Sequence, residues 1–350
     1  MRSMRLGTLA ASGTAAVAAI ASAPAFAVER EEQRRVGSTH PIAINDSFFS
    51  PLTEAYGNVF VGRHVFVASN STLRADPGRR VCLGEETNVQ DNVLMLASRG
   101  RTPRSYCGRR ATSTAERVSI AHQAEIRNSR IGNFTFVGFR AQLRNVRLSD
   151  GAFVLHGAQI SNVRIPRDRI VGVGQVVRTQ RQANALPRKT EAAAEFQSEV
   201  LEVNAEFAEK YQELYRDKGH GAVTGAGPAP RTTFNRGRRP RLGRGTRLEP
   251  FARLVGDVRV GAGSWVGRRA SIRADEGAPI VVGARANIED RVTFHALKGT
   301  SVRIGDQLDT DDNVVFHGPL TVGDRLAIGD NAVLFRANVG DDVTMATAPW

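Results

Sequence analysis

A beat of six residues is the feature that most limits what this chain can fold into. Val61, Val67 and Leu73 keep it, and Leu83, Val89 and Met95 take it up after a short break. Ile120 and Ile126 resume it, and Ile131, Val137, Leu143, Leu148, Val154 and Ile160 carry it on. It returns at Leu254, Val260, Val266, Ile272, Val282, Ile288 and Phe294, then at Phe316, Val322, Ile328, Leu334, Val339 and Met345. A period of six fits neither the 3.6 of a helix nor the 2 of an ordinary amphipathic strand. It fits a coil with three flat sides, in which each side is a short strand and the beat residue points inward. Gly62, Gly84, Gly132 and Gly138 each follow a beat residue, and this reading assigns them to corners. A conventional sandwich would need steadier alternation and more aromatic residues than the 6% present.

The chain contains its main motif twice. Ile272 to His295 and Leu73 to Leu96 align without a gap at a spacing of 199 positions. Both copies hold Arg-Ala-Asp, a nearby Gly and Asn-x-x-Asp, but one ends in His295 and the other in Leu96. Duplication agrees with the room for two domains in 350 residues.

Between the copies the pattern changes. Residues 190–217 lack Gly and Pro, and Phe196, Val200, Val203, Phe207, Tyr211 and Leu214 recur at three- and four-residue steps. This spacing predicts an amphipathic helix whose apolar face covers the side of the coil. Residues 28–50 read as an extended lead-in and 218–240, rich in Gly, Pro, Ala and Arg, as a linker. The first coil with its helix is then expected over 51–217, and the shorter second coil over 241–350.

Residues 1–27 read as an export signal: Arg2 and Arg5, an apolar run from Leu6 to Ile20, and Ala25-Phe26-Ala27 as the cleavage site. The expected location is secreted or extracytoplasmic, with no membrane association after cleavage. There Cys82 and Cys107 either pair or stay as separate thiols; spacing does not decide. The net charge of +13 permits an anionic partner, yet most arginines are scattered, with density chiefly at 99–110 and 236–241. A solvated surface is the better reading than nucleic-acid binding.

The motifs RADEG, NIED, FHALK and VFHGPLTVGD, with LRADPG, NVQD and AHQAEIR in the first half, resemble the gamma-class carbonic anhydrases. The resemblance covers nearly everything from residue 50 onward. It implies a mainly β fold: two left-handed parallel β-helix (hexapeptide-repeat) domains in tandem, the first followed by the amphipathic α-helix. It also implies trimeric domain packing in a homo-oligomer, a zinc, iron or other divalent metal held by three histidines between neighbouring domains, and carbon dioxide and bicarbonate as substrate and product. The reaction implied is hydration of carbon dioxide by a metal-bound hydroxide.

Neither half matches all three family ligands. The second half has His295 first and His317 last, with Asp312 between; the first has Leu96, then His122, then Arg127. The losses are complementary, so an interface between unlike domains would assemble His122, His295 and His317 and leave a fourth tetrahedral position open. Two alternatives stand beside it: His295, His317 and Asp312 in a self-associated second domain, or a metal-free relic.

Other residues follow from the same resemblance. Arg74 with Asp76, and Arg273 with Asp275, match the family's Arg-Asp link between subunits. Glu276 matches the proton-shuttling acid, Gln90 the amide beside the reactive water, with Glu289 in the second copy, and Asn204 a site-lining position on the helix. Lys298 reverses the charge of a second family acid, and the basic loop 99–117 replaces an acidic one. His40, His64, His156 and His220 match no ligand position. The alternative functions are an inactive β-helix scaffold and, more remotely, a hexapeptide-repeat acyltransferase.

Overall fold

The structure, a computed structural model, describes residues 34–35 and 43–348. The expected signal segment and His40 lie outside these residues. The beat residues stack into two separate columns. In the first coil Leu73 pairs with Met95, Met95 with Ile126, Ile126 with Leu143, and Leu143 with Ile160 on successive parallel rungs. In the second, Leu254, Ile272, Phe294, Phe316 and Leu334 do the same. All of these are buried. Removing one such side chain from water is worth roughly 1.5–3 kcal/mol, and each rung's contribution depends on the neighbour above it.

Each coil has three sides, formed by sheets of 7, 7 and 8 strands in the first and 6, 6 and 6 in the second. Rung-to-rung pairing is parallel, and Arg34–Arg35 and Ala43–Ile44 add short antiparallel pairs at the start. The first coil begins earlier than expected. Ser47–Phe49 is already a strand, paired with Phe66–Val67, so part of the 28–50 lead-in belongs to the coil. Phe49 points into the core and Ala55 packs against it, which extends the beat back from Val61. It also runs on past Ile160 through buried Ile165, Val171 and Val177.

Two expectations about connections change. Several corners are taken by non-glycine residues with left-handed backbone, such as Asn70, Asn92, Gln123 and Arg140. The glycine after a beat serves a different need: a Cβ on Gly84 would run into the Ala115 carbonyl of the next rung. The stretch 218–240 contains Ala226–Gly227, which pairs with Leu254 and Val255, so the second coil starts inside the expected linker.

Helix α1 spans Gln180–Asn184 and α2 spans Glu191–Lys218. The Thr190 hydroxyl accepts from the Ala193 N–H at the start of α2, and Gly219 caps its end. Phe207, Tyr211 and Val203 pack on the outward-facing Phe48, Phe66 and Ala68 of the first coil and on Val255 of the second. Thus α2 touches both coils. Among the described residues no helix is long and apolar enough to cross a membrane.

Cys82 and Cys107 form a disulfide across the loop between them, with Cα atoms 6.4 Å apart. The arginine-rich 236–241 stretch is partly neutralised: Arg238, Arg241 and Arg259 all reach Asp257.

Candidate metal centre

The two coils dock along one corner of the first. Asn70 donates to the Phe251 and Arg269 carbonyls, Asn92 to the Thr293 hydroxyl, Gln123 to the Arg291 carbonyl, and Arg140 to the Asn313 carbonyl. These are the left-handed corner residues of successive rungs. Opposite them lies the second-coil sheet that carries Ser271–Ala274, Thr293–His295 and Val315–His317, all three strands buried throughout.

Docking brings His122 from the first coil onto His295 and His317 from the second. His122 Nε2 is 3.2 Å from His295 Nδ1, and that atom is 3.3 Å from His317 Nε2. The three ligand atoms lie within 4.8 Å of one another, and all three residues are buried. The opposite ring nitrogens have partners facing away from this point. His317 Nδ1 donates to the Gly318 carbonyl at 3.2 Å, and His295 Nε2 faces Asp275 and Glu276 at 3.4 and 3.2 Å. His122 Nδ1 lies 3.3 Å from Asp91 Oδ2, off the direction of a good hydrogen bond. With the outer nitrogens protonated, three lone pairs converge on one place.

That donor set fits a divalent metal. Tetrahedral nitrogens at about 2.0–2.1 Å from zinc stand about 3.3–3.4 Å apart, close to the two short separations here. Outer carboxylates and a carbonyl behind imidazole ligands are the usual means of fixing their tautomers. Without a cation the cluster is electrostatically divided. Burial pushes His122 down to about 4 and His317 well below its ordinary value. Burial and Arg273 also act to lower His295, but Glu276 and Asp275 outweigh them and raise it to about 9.

Arg273 organises the surroundings. Its fully buried guanidinium donates to Asp91 at 2.8 Å, Gln90 at 3.2 Å and Asp275 at 3.0 Å, and it lies over Phe66 and Phe207. Tyr211 of α2 donates to the same Asp275 oxygen, Oδ2, that accepts from Arg273. Burial and the Asp275 charge raise the Tyr211 pKa well above its normal value, so the phenol stays protonated. Asp91 also accepts from Ser271, tying the coils together again.

A cavity of about 800 Å³ opens beside the histidines. Gln90, Asn204 and Glu276 line it with them, and Phe136, Phe139 and Val203 supply apolar wall. The Gln90 amide donates to Asn204 Oδ1, whose own amide donates to the Val200 carbonyl. Lys298 lines the cavity and stands over Phe234.

The structure therefore gathers His122, His295, His317, Gln90, Glu276, Asn204, Arg273 and Asp275. It leaves others outside. Arg74 and Asp76 pair on the open side of the first coil, and Arg127 holds Glu125 there. Glu289 accepts from Asn287 along its own sheet. Asp312 caps the Asp290 N–H at an exposed corner. Neither of these two lines the cavity.

Two contributors escaped sequence reasoning. Asp91, the last residue of NVQD, holds Arg273 and faces His122; its motif was visible but suggested no partner across the chain. His156, which matches no ligand position, stacks on Phe139 at 4.2 Å, and Phe139 stacks on His317 at 4.7 Å. Its apolar neighbours come from the other coil as well as its own, including Phe335.

Two curated proteins are similar to parts of the chain. The chain is 26% identical over 193 residues to a carbonic anhydrase of Methanosarcina thermophila, covering 49% of this chain and 75% of that protein. It is 28% identical over 160 residues to the carboxysome assembly protein CcmM of a Nostoc species, covering 45% of this chain but only 29% of that protein. A solved hexapeptide transferase family protein from Anaplasma phagocytophilum shares 20% identity, with 44% and 86% of the two chains covered and a TM-score of 0.26. No protein-family model matches the chain. The fold and the curated relatives define a hexapeptide-repeat β-helix protein. More particularly, the curated similarity to a carbonic anhydrase and to a carboxysome assembly protein supports a gamma carbonic anhydrase and hexapeptide-repeat relationship and suggests a carbonic anhydrase-like function.

Proposed function

We propose that the chain is an exported gamma-type carbonic anhydrase with one metal centre shared by its two coils. The observation that carries this reading is the triad itself: three buried imidazoles, drawn from both coils, direct ring nitrogens to a common point. A divalent metal such as zinc or iron, held by His122, His295 and His317, would supply the Lewis acidity that makes water a nucleophile near neutral pH.

The chain's own residues would do the rest. Gly318 and the Asp275–Glu276 pair hold the His317 and His295 rings in the ligating tautomer, and the Asp91 carboxylate faces the outer nitrogen of His122. Phe136, Phe139 and Val203 offer a small apolar reactant a wall without hydrogen bonds. Gln90, fixed by Arg273 and Asn204, presents an amide beside the reacting centre. Glu276 lines the cavity at 3.2 Å from His295 and is placed to receive a proton leaving the centre. Lys298 and Arg336 share the lining with Glu199, Glu202, Glu206 and Glu276, so the cavity carries charges of both signs.

Export is supported by the pattern of residues 1–27 and by the disulfide, which suits an oxidising compartment. Trimeric packing of domains, typical of the relatives, is part of the same reading. Similarity to an assembly protein keeps a scaffold role as the second reading.

Elemental analysis and stopped-flow carbon dioxide hydration test the proposal. Protein purified from the extracytoplasmic fraction should begin at Val28 and carry tightly bound divalent metal. His122→Ala should lose that metal and the activity although His295 and His317 remain. Metal retained by His122→Ala would remove the shared centre. Metal-loaded wild-type protein without turnover would leave the scaffold.

A further inference from the structure

The side of the first coil that corresponds to the second coil's histidine-bearing sheet is not covered by any other part of the chain. On the second coil the outward column reads Arg273, His295, His317 and Phe335 on successive rungs. On the first it reads Arg74, Leu96, Arg127, Arg144 and Ser161, with Arg178 following on the next rung. The loop after Leu94–Ala97 brings Arg99 and Arg101 beside this column. Together they line a concavity of about 600 Å³.

Its lining has an unusual charge balance. Arg99, Arg101, Arg127, Arg144 and Arg178 contribute to it, and no Asp or Glu does. Arg127 holds Glu125 at the rim, but among the described residues no carboxylate pairs with Arg99, Arg101, Arg144 or Arg178. Elsewhere on the surface arginines do find acids, as the three around Asp257 and the Arg325–Asp342 pair show. The remaining lining is mainly amide and hydroxyl, including the corner residues Asn128, Asn145 and Asn162. Asn145 donates to Asn162, and the Asn128 side chain accepts from the Ser98 N–H, so the corner is already ordered.

The wall carrying Arg99 and Arg101 is fixed from several directions. Arg79 donates to the Gly100 carbonyl, Arg80 to the Cys107 carbonyl, and Cys107 is bonded to Cys82. Rungs stand about 4.8 Å apart, so Arg127 to Arg178 spans about 14 Å. Like charges stacked along one face of the coil repel one another even in water. A ligand with several anionic groups removes that cost, and guanidinium forks suit phosphate and carboxylate oxygens.

We propose that this arginine-lined groove binds a small multivalent oxyanion, one bearing two or more phosphate or carboxylate groups that engage neighbouring rungs. The site is separate from the histidine cavity and does not depend on any metal there.

Isothermal titration calorimetry on the full chain tests it, with inorganic tripolyphosphate and citrate as the two probes and bicarbonate as the singly charged control. Wild-type protein should bind tripolyphosphate or citrate saturably, with bicarbonate far weaker; the stronger of the two tells phosphate from carboxylate ligands. Arg144→Gln with Arg178→Gln should weaken binding by about tenfold or more, since each removes a charge-assisted fork. Arg236→Gln with Arg303→Gln, which removes equal charge elsewhere, should change it less than about twofold. Circular dichroism confirms that both variants fold. Equal loss in the two variants would reduce the effect to net charge and overturn the proposal, as would failure of both probes to saturate. Self-association abolished by the groove substitutions, without binding of either probe, would assign the groove to the acidic Asp290–Asp312–Asp330 corner of a second copy and overturn it too.

Discussion

The two copies of Arg-Ala-Asp have the same local backbone and opposite surroundings. The Arg273 and Asp275 side chains are 2% and 0% exposed, whereas those of Arg74 and Asp76 are 60% and 23% exposed. Both are two-residue steps along a parallel strand with an arginine–aspartate contact of 3.0 or 3.2 Å. The difference is what covers them: the first coil's corner and α2 on one, solvent on the other. A motif that looks like a site in the sequence becomes one only where another domain closes over it.

Substitution at the paired arginines should separate the copies most sharply. Arg273→Ala leaves Asp91 and Asp275 buried without their cation, and removing one partner of a buried ion pair costs about 3–5 kcal/mol. Arg74→Ala breaks an exposed pair and should cost under about 1 kcal/mol. Chemical denaturation of both variants checks this; similar midpoints would break the contrast.

The disulfide supplies a second asymmetry, since it staples only the first coil. Its partners are separated by 25 residues, and closing a loop of that length is worth about 3.5 kcal/mol in the chain-entropy model. Cys82→Ser with Cys107→Ser should therefore loosen the first coil. Hydrogen exchange should rise around residues 98–114 and stay unchanged in the 302–345 rungs.

Acid offers a gentler probe of the interface. Burial acts to raise the Asp91 pKa, but Arg273 and the His122 contact overcome it and hold it at about 2, below the ordinary 3.8. A depressed carboxyl pKa contributes stability that is present above the unfolded value and lost as pH falls through the folded one. The Asp91 contribution, on the order of 2 kcal/mol, should hold above pH 4 and disappear as pH falls towards 2. Asp91→Asn should flatten that part of the stability curve, measured by thermal unfolding across the range.

How much of this was legible depended on whether the signal was periodic. Val61, Leu73 and Ile126 announced the coil because each rung repeats the same inward requirement. Phe49 and Ala55 follow the same rule but precede the obvious run, and one is a small residue. Corners were harder: Asn92, Gln123 and Arg140 share a backbone conformation without sharing a side chain, so glycine took the credit in the sequence. The complementary histidines could be seen through family resemblance, but the docking that joins them could not. It rests on corner amides donating to carbonyls of the other coil, which leave no sequence pattern. The separate fates of Arg74 and Arg273 were hidden for the same reason.

The triad's division across the chain also has a consequence in time. His122 leaves the ribosome long before His295 and His317, separated by α2 and the opening rungs of the second coil. A truncated or nicked molecule that loses its second half keeps a folded-looking coil but only one of the three nitrogens. An assembled triad is thus a census of finished molecules, counting only those whose two ends have both been made and brought together.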